Sequence, residues 1–198
     1  MPITSYLRSL GLFDIGEGYC EQVPEQVADL KDLTKDPSIK TILEIGFNAG
    51  HSSELFLENN PNVSVTSFDI GEHKYISNSK YYLDKMYPGR HTLILGDSRV
   101  SIPKYSKENP GKTFDIIFID GGHEYEVARA DLENCAKLAD KNSLVLLDDT
   151  IFTEELHAHW TRGPTQTWVE HVKSNKIMQI KNNDYCLARG MVWGKYII

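Results

Sequence analysis

Three aspartates and one histidine stand where they could bind a cation and move a proton. Asp120 closes one apolar run and precedes His123 by three positions, while Asp148 and Asp149 close the next apolar run. Buried carboxylates repel one another unless a cation lies between them, and Mg²⁺ or Mn²⁺ prefers oxygen ligands. A histidine can accept a proton near neutral pH. The pattern predicts a divalent-metal site on the three aspartates with His123 as a general base. The alternative is that these carboxylates only cap helices or accept from loop amides.

A glycine turn forms a second candidate site. Gly46 and Gly50 follow a strand-like run with G-x-x-x-G spacing and lead into a helical pattern that starts at Ser52. Glycines at such a turn let the backbone approach a ligand closely. The G-x-G-x-x-G spacing that fits a dinucleotide pyrophosphate is missing. The turn therefore favours a cofactor that lacks a pyrophosphate.

Acidic residues also end the next two strand-like runs. Asp69 closes the run after the glycine turn, where a carboxylate can accept hydrogen bonds from ribose hydroxyls. Asp97 and Ser98 follow the third run and are placed to bind the edge of an adenine. The alternative is an ordinary tight turn with Asp69 as a helix cap. We favour ligand binding because the acidic residues recur at successive strand ends.

Elements must carry all these residues to one edge of a sheet. Short apolar runs bounded by turn residues predict strands, and helical spacing separates them. The strands are predicted at 41–45, 63–68, 92–95, 114–119 and 144–147, with a terminal pair at 176–180 and 191–198. The helices are predicted at 5–10, 24–35, 52–58, 75–86, 100–107, 124–139 and 164–174. The alternation predicts a doubly wound α/β fold, with a mostly parallel seven-stranded sheet and a C-terminal antiparallel hairpin whose turn holds Asn182, Asn183 and Asp184.

Length and composition indicate a single domain spanning 1–198. We divide it into a helical cover at 1–38, a binding core at 39–150, and a loop, helix and hairpin at 151–198. The net charge of −7 argues against nucleic acid as a partner. No window reaches the roughly 18 apolar residues of a membrane span. Cys20, Cys135 and Cys186 lack CxxC spacing, which favours reduced thiols and a cytoplasmic location. The sequence leaves open whether the protein forms a homodimer.

The glycine turn Glu44-Ile45-Gly46-Phe47-Asn48-Ala49-Gly50 resembles the first motif, E-x-G-x-x-x-G, of the class I S-adenosylmethionine-dependent methyltransferases. The resemblance covers nearly the whole chain from Glu25 and implies their Rossmann-like fold. It implies that Glu44 supports the turn from behind. The cofactor-binding residues that it implies are Glu44, Gly46, Phe47, Asn48, Gly50, Ser52, Asp69, Ile70, Asp97, Ser98 and Asp120.

The acidic set resembles the metal-dependent O-methyltransferases, both those related to catechol O-methyltransferase and the sugar and macrolide branch. Catechol enzymes have an Asn where this chain has Asp149 and a Lys where it has His123, and both departures are similar to the sugar-type branch. The resemblance implies Mg²⁺- or Mn²⁺-dependent methylation of a hydroxyl on a small molecule, sugar or glycan. It assigns the metal to Asp120, Asp148 and Asp149, and general-base catalysis to His123.

Two other functions stay open. A nicotinamide-dependent oxidoreductase would also place Asp69 at a plausible distance from the glycine turn, although the third glycine is missing. A module that binds S-adenosylmethionine without catalysis would keep the same turn. His157, His159 and Trp160 follow the acidic pair and either line the acceptor site or form a polar loop.

Overall fold

The computed structural model describes residues 1–12, 18–153, 158–186 and 188–198. The strands are β1 (Thr41–Ile45), β2 (Ser64–Asp69), β3 (His91–Leu95), β4 (Ile116–Ile119), β5 (Leu144–Asp148), β6 (Ile177–Asp184) and β7 (Gly190–Tyr196). The α-helices are α1 (Ile3–Ser9), α2 (Pro24–Thr34), α3 (His51–Asn59), α4 (Ile76–Met86), α5 (Ser98–Glu108), α6 (Tyr125–Cys135) and α7 (Arg162–Lys173). None of the helices in these ranges is long and apolar enough to cross a bilayer.

The strands form one sheet in the order β3-β2-β1-β4-β5-β7-β6. The pairs from β3 through β5 are all parallel, whereas β7 runs antiparallel to both β5 and β6. The strand order reverses between β1 and β4, and ligands in such sheets bind at the carboxyl ends of the strands around this reversal. The predicted doubly wound sheet with its terminal antiparallel hairpin is confirmed.

Hydrophobic clusters cover both faces of the sheet. One contains Leu30 and Phe56 from helices of the N-terminal half, and the other contains Ile102 and Trp168 from later helices. The central strand β4 is buried along its whole length, as expected for a parallel strand that is covered on both sides. This packing holds the strand ends of the candidate site on a rigid frame.

The terminal hairpin differs from the prediction. The turn is predicted at Asn182, Asn183 and Asp184, but β6 continues to Asp184 and pairs with β7, with a register irregularity between Gln179 and Lys181. Contacts from outside the hairpin explain the extra length. Asn183 Nδ2 donates to Asp29 Oδ2 at 2.5 Å, and an Asp184 carboxylate oxygen accepts from the main-chain N–H of Thr153 at 2.8 Å. The predicted turn is therefore wrong, because tertiary contacts override the local turn preference of Asn and Asp.

Candidate active site

The glycine turn lies directly against the end of β4. Gly46 has φ +92°, and a Cβ at this position would overlap the main-chain oxygen of Asp120. The N–H of Gly46 donates to the carbonyl oxygen of Phe68 at 2.8 Å. Only glycine combines this backbone conformation with so close an approach. The turn thus brings the predicted cofactor loop and the first predicted metal ligand into contact.

Glu44 lies beneath the turn with no exposed surface. Its carboxylate accepts hydrogen bonds from the hydroxyls of Ser52 at 2.6 Å, Ser53 at 2.5 Å and Ser67 at 2.5 Å. Burial raises the pKa of Glu44 to about 7, and the three hydroxyls oppose that rise. The Ser52 hydroxyl therefore points at Glu44. Glu44 braces the start of α3, and its contact with a cofactor stays a prediction.

Asp69 braces the other side of the turn. Its Oδ2 accepts from the main-chain N–H of Asn48 at 2.8 Å, and its Oδ1 accepts from that of Gly71 at 2.8 Å. Asn48 has φ +47°, and its side-chain oxygen accepts from the Tyr75 hydroxyl at 2.5 Å. Each carboxylate oxygen retains a second lone pair. Asp69 can therefore hold the turn and still accept from a ribose hydroxyl.

The remaining predicted cofactor residues of the turn have different environments. The Phe47 side chain is 1% exposed and stacks on His91, with ring centroids 5.0 Å apart, so only its main chain can face the cleft. Gly50 has φ +84° and packs on Ile3. Ile70 is 60% exposed just beyond β2. It offers an apolar surface beside the predicted ribose position.

The predicted adenine end contains a carboxylate that sequence reasoning missed. Asp97 caps α5 by accepting from the main-chain N–H of Arg99 at 2.9 Å, and pairs with the Arg99 guanidinium at 2.6 Å. Asp131 is fully buried nearby, and neither carboxylate oxygen has a hydrogen-bond partner among the described residues. Burial raises its pKa to about 7, although the Ser98 hydroxyl is close enough to lower it somewhat. No sequence motif distinguishes Asp131 from the other polar residues of α6.

The metal-binding candidates converge at the ends of β4 and β5. Donor atoms of Asp120, His123 and Asp149 all lie within 4.8 Å of one another. His123 Nε2 lies 2.8 Å from Asp149 Oδ2, and the two side chains are 44% and 10% exposed. Asp149 has φ +52°, a left-handed conformation that costs energy in a non-glycine residue and often occurs at functional sites. The structure therefore brings the predicted base to two predicted ligands.

Asp148 is directed differently from the other two aspartates. Its Oδ2 accepts from Gln26 Nε2 at 2.6 Å, whereas Asp148 Oδ1 and Gln26 Oε1 are buried without a partner among the described residues. Burial and the neighbouring Asp149 raise the pKa of Asp148. Burial, Asp148 and Asp149 hold the pKa of Asp120 well above its usual range. Asp148 Oδ1 thus lacks a donor among the described residues, and it belongs to a group of close carboxylates, which fits a hard divalent cation.

The segment after β5 continues along the same side of the site. A Cβ at Gly163 would overlap the main-chain oxygen of His123, so the start of α7 packs on the loop that carries the base. His159 and Trp160 meet edge to face there, with ring centroids 5.0 Å apart. His157 lies outside the described residues. The structure thus places His159 and Trp160 one turn away from the residues that contact the His123 loop.

Sequence reasoning also left Arg189 without a role. A Cβ at Gly18 would overlap its guanidinium, so this side chain reaches from the terminal hairpin to the N-terminal cover. Its positive charge lowers the pKa of both Asp120 and Asp148. Neither Gln26 nor Arg189 stands in a motif, and only the folded chain shows their proximity to the acidic residues.

This fold has counterparts among known proteins. Residues 43–150 match the model of a family described as a methyltransferase domain. The match spans more than half of the chain, and the chain therefore belongs to this methyltransferase family. No curated protein matches it by sequence.

Solved O-methyltransferase structures share the whole fold. An O-methyltransferase from Bacillus cereus in complex with SAH superposes with a TM-score of 0.76 at 16% identity, covering 98% of this chain and 90% of that chain. A putative caffeoyl-CoA O-methyltransferase from Staphylococcus aureus gives 0.71 at 18% identity, covering 97% and 91%. CalS11, a TDP-rhamnose 3'-O-methyltransferase of calicheamicin biosynthesis, gives 0.68 at 19% identity, covering 100% and 88%. These likenesses confirm the predicted Rossmann-like methyltransferase fold.

Proposed function

We propose that the chain is an S-adenosylmethionine-dependent O-methyltransferase that uses Mg²⁺ or Mn²⁺ and takes His123 as its general base. Its acceptor is a hydroxyl of a small molecule, and we favour a sugar or glycan hydroxyl. The observation that carries the proposal is the convergence of Asp120, His123 and Asp149 within 4.8 Å. This cluster lies directly beside the glycine turn, because Gly46 contacts Asp120.

The acidic residues are suited to hold a divalent cation. Asp120 and Asp149 offer converging donor atoms, and the second oxygen of Asp148 is buried without a partner among the described residues. When bound, such a cation lowers the pKa of an acceptor hydroxyl and fixes its direction. The chain's own contribution is burial, since Asp148 and Asp149 are only 4% and 7% exposed. Burial strengthens the electrostatic interactions within the site.

His123 then removes the proton of the acceptor hydroxyl. The oxygen forms a bond to the methyl carbon while the carbon–sulfur bond breaks, which turns the sulfonium into a neutral thioether. Asp149, 2.8 Å from His123 Nε2, stabilises the positive charge that the imidazole gains and fixes the ring orientation. A positioned base of this kind contributes about 10²- to 10⁴-fold in rate, and alignment of the reacting atoms contributes separately.

Two of the site residues favour a sugar or glycan acceptor. Asp149 and His123 replace the Asn and Lys of catechol-type enzymes, and the fold is shared with a TDP-rhamnose 3'-O-methyltransferase. A caffeoyl-CoA-type acceptor is the alternative, because a putative caffeoyl-CoA O-methyltransferase also shares the fold. TDP-rhamnose and caffeoyl-CoA should therefore be compared directly, with labelled methyl transfer from S-adenosylmethionine as the measurement.

Cofactor and metal binding test the proposal before any acceptor is known. Calorimetry should detect S-adenosylmethionine, and a thermal-shift assay should show no comparable stabilisation by NAD, which would separate the oxidoreductase alternative. Electron paramagnetic resonance should detect bound Mn²⁺, and EDTA should abolish turnover. Absence of S-adenosylmethionine binding would reject the cofactor assignment. Turnover that survives EDTA would reject the metal. Binding without turnover on any acceptor would favour the non-catalytic module.

Replacement of His123 tests the base. With an active acceptor, His123→Ala should lower kcat by about 10²- to 10⁴-fold and leave Mn²⁺ affinity within a few-fold. Arg129→Gln, which removes a surface cation that pairs with Glu133 on α6, is the control and should retain most of the rate. A near-normal rate in His123→Ala would exclude the base. Loss of Mn²⁺ binding in that variant would instead make His123 a metal ligand.

A further inference from the structure

Arg189 occupies a fixed position at the edge of the site. It directly precedes β7, where the main-chain N–H of Thr150 donates to the oxygen of Gly190 at 3.0 Å. The N–H of Tyr185 donates to the Arg189 oxygen at 2.6 Å. These bonds hold the Arg189 backbone beside the end of β5. The Arg189 side chain therefore begins close in space to the acidic pair, Asp148 and Asp149.

The guanidinium extends from there to the N-terminal cover. A Cβ at Gly18 would overlap Arg189 Nη2 and lie 3.0 Å from Nη1, so the absence of a side chain at position 18 makes room for the cation. The carbonyl oxygen of Gly18 accepts from Asn48 Nδ2 of the glycine turn at 3.4 Å. Gly18 thus adjoins both the Arg189 guanidinium and the glycine turn.

Among the described residues, the charge of Arg189 has no partner in direct contact. Ion pairs among the described residues engage other cations, and none joins a carboxylate to Arg189 within 4.0 Å. The side chain is only partly exposed, yet its field reaches Asp120 and Asp148. A partly desolvated guanidinium without a contacting anion is unfavourable. Its planar fork of N–H donors matches a carboxylate or phosphate.

We propose that Arg189 is the anion-binding residue of this site and that it holds a carboxylate or phosphate of a bound substrate through its guanidinium. Two sources share this chemistry. One is the α-carboxylate of S-adenosylmethionine, and the other is an acidic group on the acceptor. The first source rests on the proposed function, whereas anion binding itself does not.

The cofactor source is tested by calorimetry with S-adenosylmethionine and its decarboxylated analogue. If Arg189 holds the α-carboxylate, Arg189→Gln weakens S-adenosylmethionine binding by about 10- to 100-fold. The same change leaves the affinity of the analogue unaltered. Arg189→Lys, which keeps the charge but loses the fork, should fall between wild type and Arg189→Gln. Arg129→Gln removes a surface arginine that pairs with Glu133, and this control should bind both ligands as wild type does.

The acceptor source is tested with sulfate as the anion probe at constant ionic strength. Sulfate should stabilise the wild-type protein in a thermal-shift titration, and this stabilisation should be absent in Arg189→Gln. If the anion belongs to the acceptor, the sulfate effect persists when the protein is saturated with S-adenosylhomocysteine. If the anion is the cofactor carboxylate, S-adenosylhomocysteine abolishes the sulfate effect.

The proposal is overturned if Arg189→Gln binds S-adenosylmethionine, the analogue and sulfate as wild type does. Tighter Mn²⁺ binding as the sole change would show that Arg189 only balances the acidic cluster. Should Arg189→Gln not fold, Gly18→Ala displaces the guanidinium without removing it and should reproduce the loss of anion binding. A wild-type protein that binds sulfate but not S-adenosylmethionine would reject the proposed function and leave the anion site in place.

Discussion

The two halves of the site differ in how far hydrogen bonds within the protein compensate their buried carboxylates. In the cofactor half, at the ends of β1 and β2, Glu44 accepts three hydroxyl hydrogen bonds and Asp69 accepts two main-chain N–H bonds. In the metal half, at the ends of β4 and β5, Asp148 has one partner and one buried oxygen without any among the described residues. The first half is complete within the protein. The second half has too few donors among the described residues, and the charge of Arg189 only partly offsets its carboxylates.

This difference indicates which half depends on a ligand for its stability. Hydrogen bonds to a carboxylate offset the cost of burying it, whereas like charges at close range add to that cost. The cofactor half should therefore keep its geometry without ligands. The metal half should gain stability when a cation binds, because binding to the folded state alone stabilises it. Variants of the metal half should therefore change the response to Mn²⁺, whereas variants of the cofactor half should not.

The largest expected effect comes from the contact between the two halves. Gly46→Ala adds a Cβ that overlaps the main-chain oxygen of Asp120 at a residue with φ +92°. Neither atom can move without displacing a strand end. We expect a loss of about 3 kcal/mol or more in the free energy of unfolding, measured by urea denaturation. S-adenosylmethionine binding should be lost with it.

Gly89→Ala is the matched control. Gly89 also has a positive φ, +74°, but a Cβ there would have nothing within 4 Å. We expect a cost of only about 1 kcal/mol from the backbone conformation, with normal cofactor binding. Equal costs at both positions would show that the contact between the glycine turn and β4 is not what joins the two halves.

A smaller effect should separate the metal half from the cofactor half. Asp148→Asn removes a buried charge and supplies an N–H donor near the unpartnered Gln26 Oε1. With EDTA present, we expect the variant to be more stable than wild type by about 1 to 3 kcal/mol. Its Mn²⁺ affinity should fall about 10- to 100-fold. Thermal unfolding with and without Mn²⁺ measures both changes.

Asp69→Asn provides the counterpart in the cofactor half. One of its carboxylate oxygens becomes a donor that faces a main-chain N–H, from Asn48 or Gly71. We expect lower stability and unchanged Mn²⁺ affinity. If both variants lose stability and keep their metal, the proposed difference between the halves does not exist.

Continuous apolar runs explain why the fold could be predicted from sequence. Thr41–Ile45 has the same bounds in prediction and structure, because a strand covered on both sides is largely apolar. Asp120 and Asp149 could be placed together because parallel strand ends share one edge of the sheet. The hairpin turn could not be placed, since Asp184 is held in β6 by residues outside the hairpin.

Contacts between distant parts of the chain account for what sequence reasoning missed. Gln26 precedes Asp148 by 122 positions, and no local pattern links the amide to the carboxylate. Arg189 meets Gly18 only because the terminal hairpin folds back over the N-terminal cover. Periodicity determines which face of an element is buried, but it does not specify which polar side chains meet above the sheet.

A pH dependence is expected in the cofactor half, with a size similar to that of the Asp148→Asn effect. Burial raises the pKa of Glu44 from 4.5 to about 7 in the folded state, so the folded protein binds this proton more tightly than the unfolded chain. This contribution to stability is therefore present at low pH and declines as pH rises from about 4.5 to 7. Glu44→Gln removes the decline, and the stability of the variant relative to wild type should rise by about 1 to 3 kcal/mol between pH 5 and 8. Urea denaturation across this range measures the slope.

Glu133→Gln is the control and should show no slope between pH 5 and 8. Lys176 and Arg129 lower the pKa of Glu133, so the stabilisation by its ionised form is fully present above about pH 4.5 and the variant differs from wild type by a constant amount over this range. The Glu44 and Glu133 variants therefore diverge with pH if burial controls Glu44. Parallel slopes would mean that the three serine hydroxyls fully offset the burial of Glu44, and the cofactor half would then be even more completely neutralised than its geometry indicates.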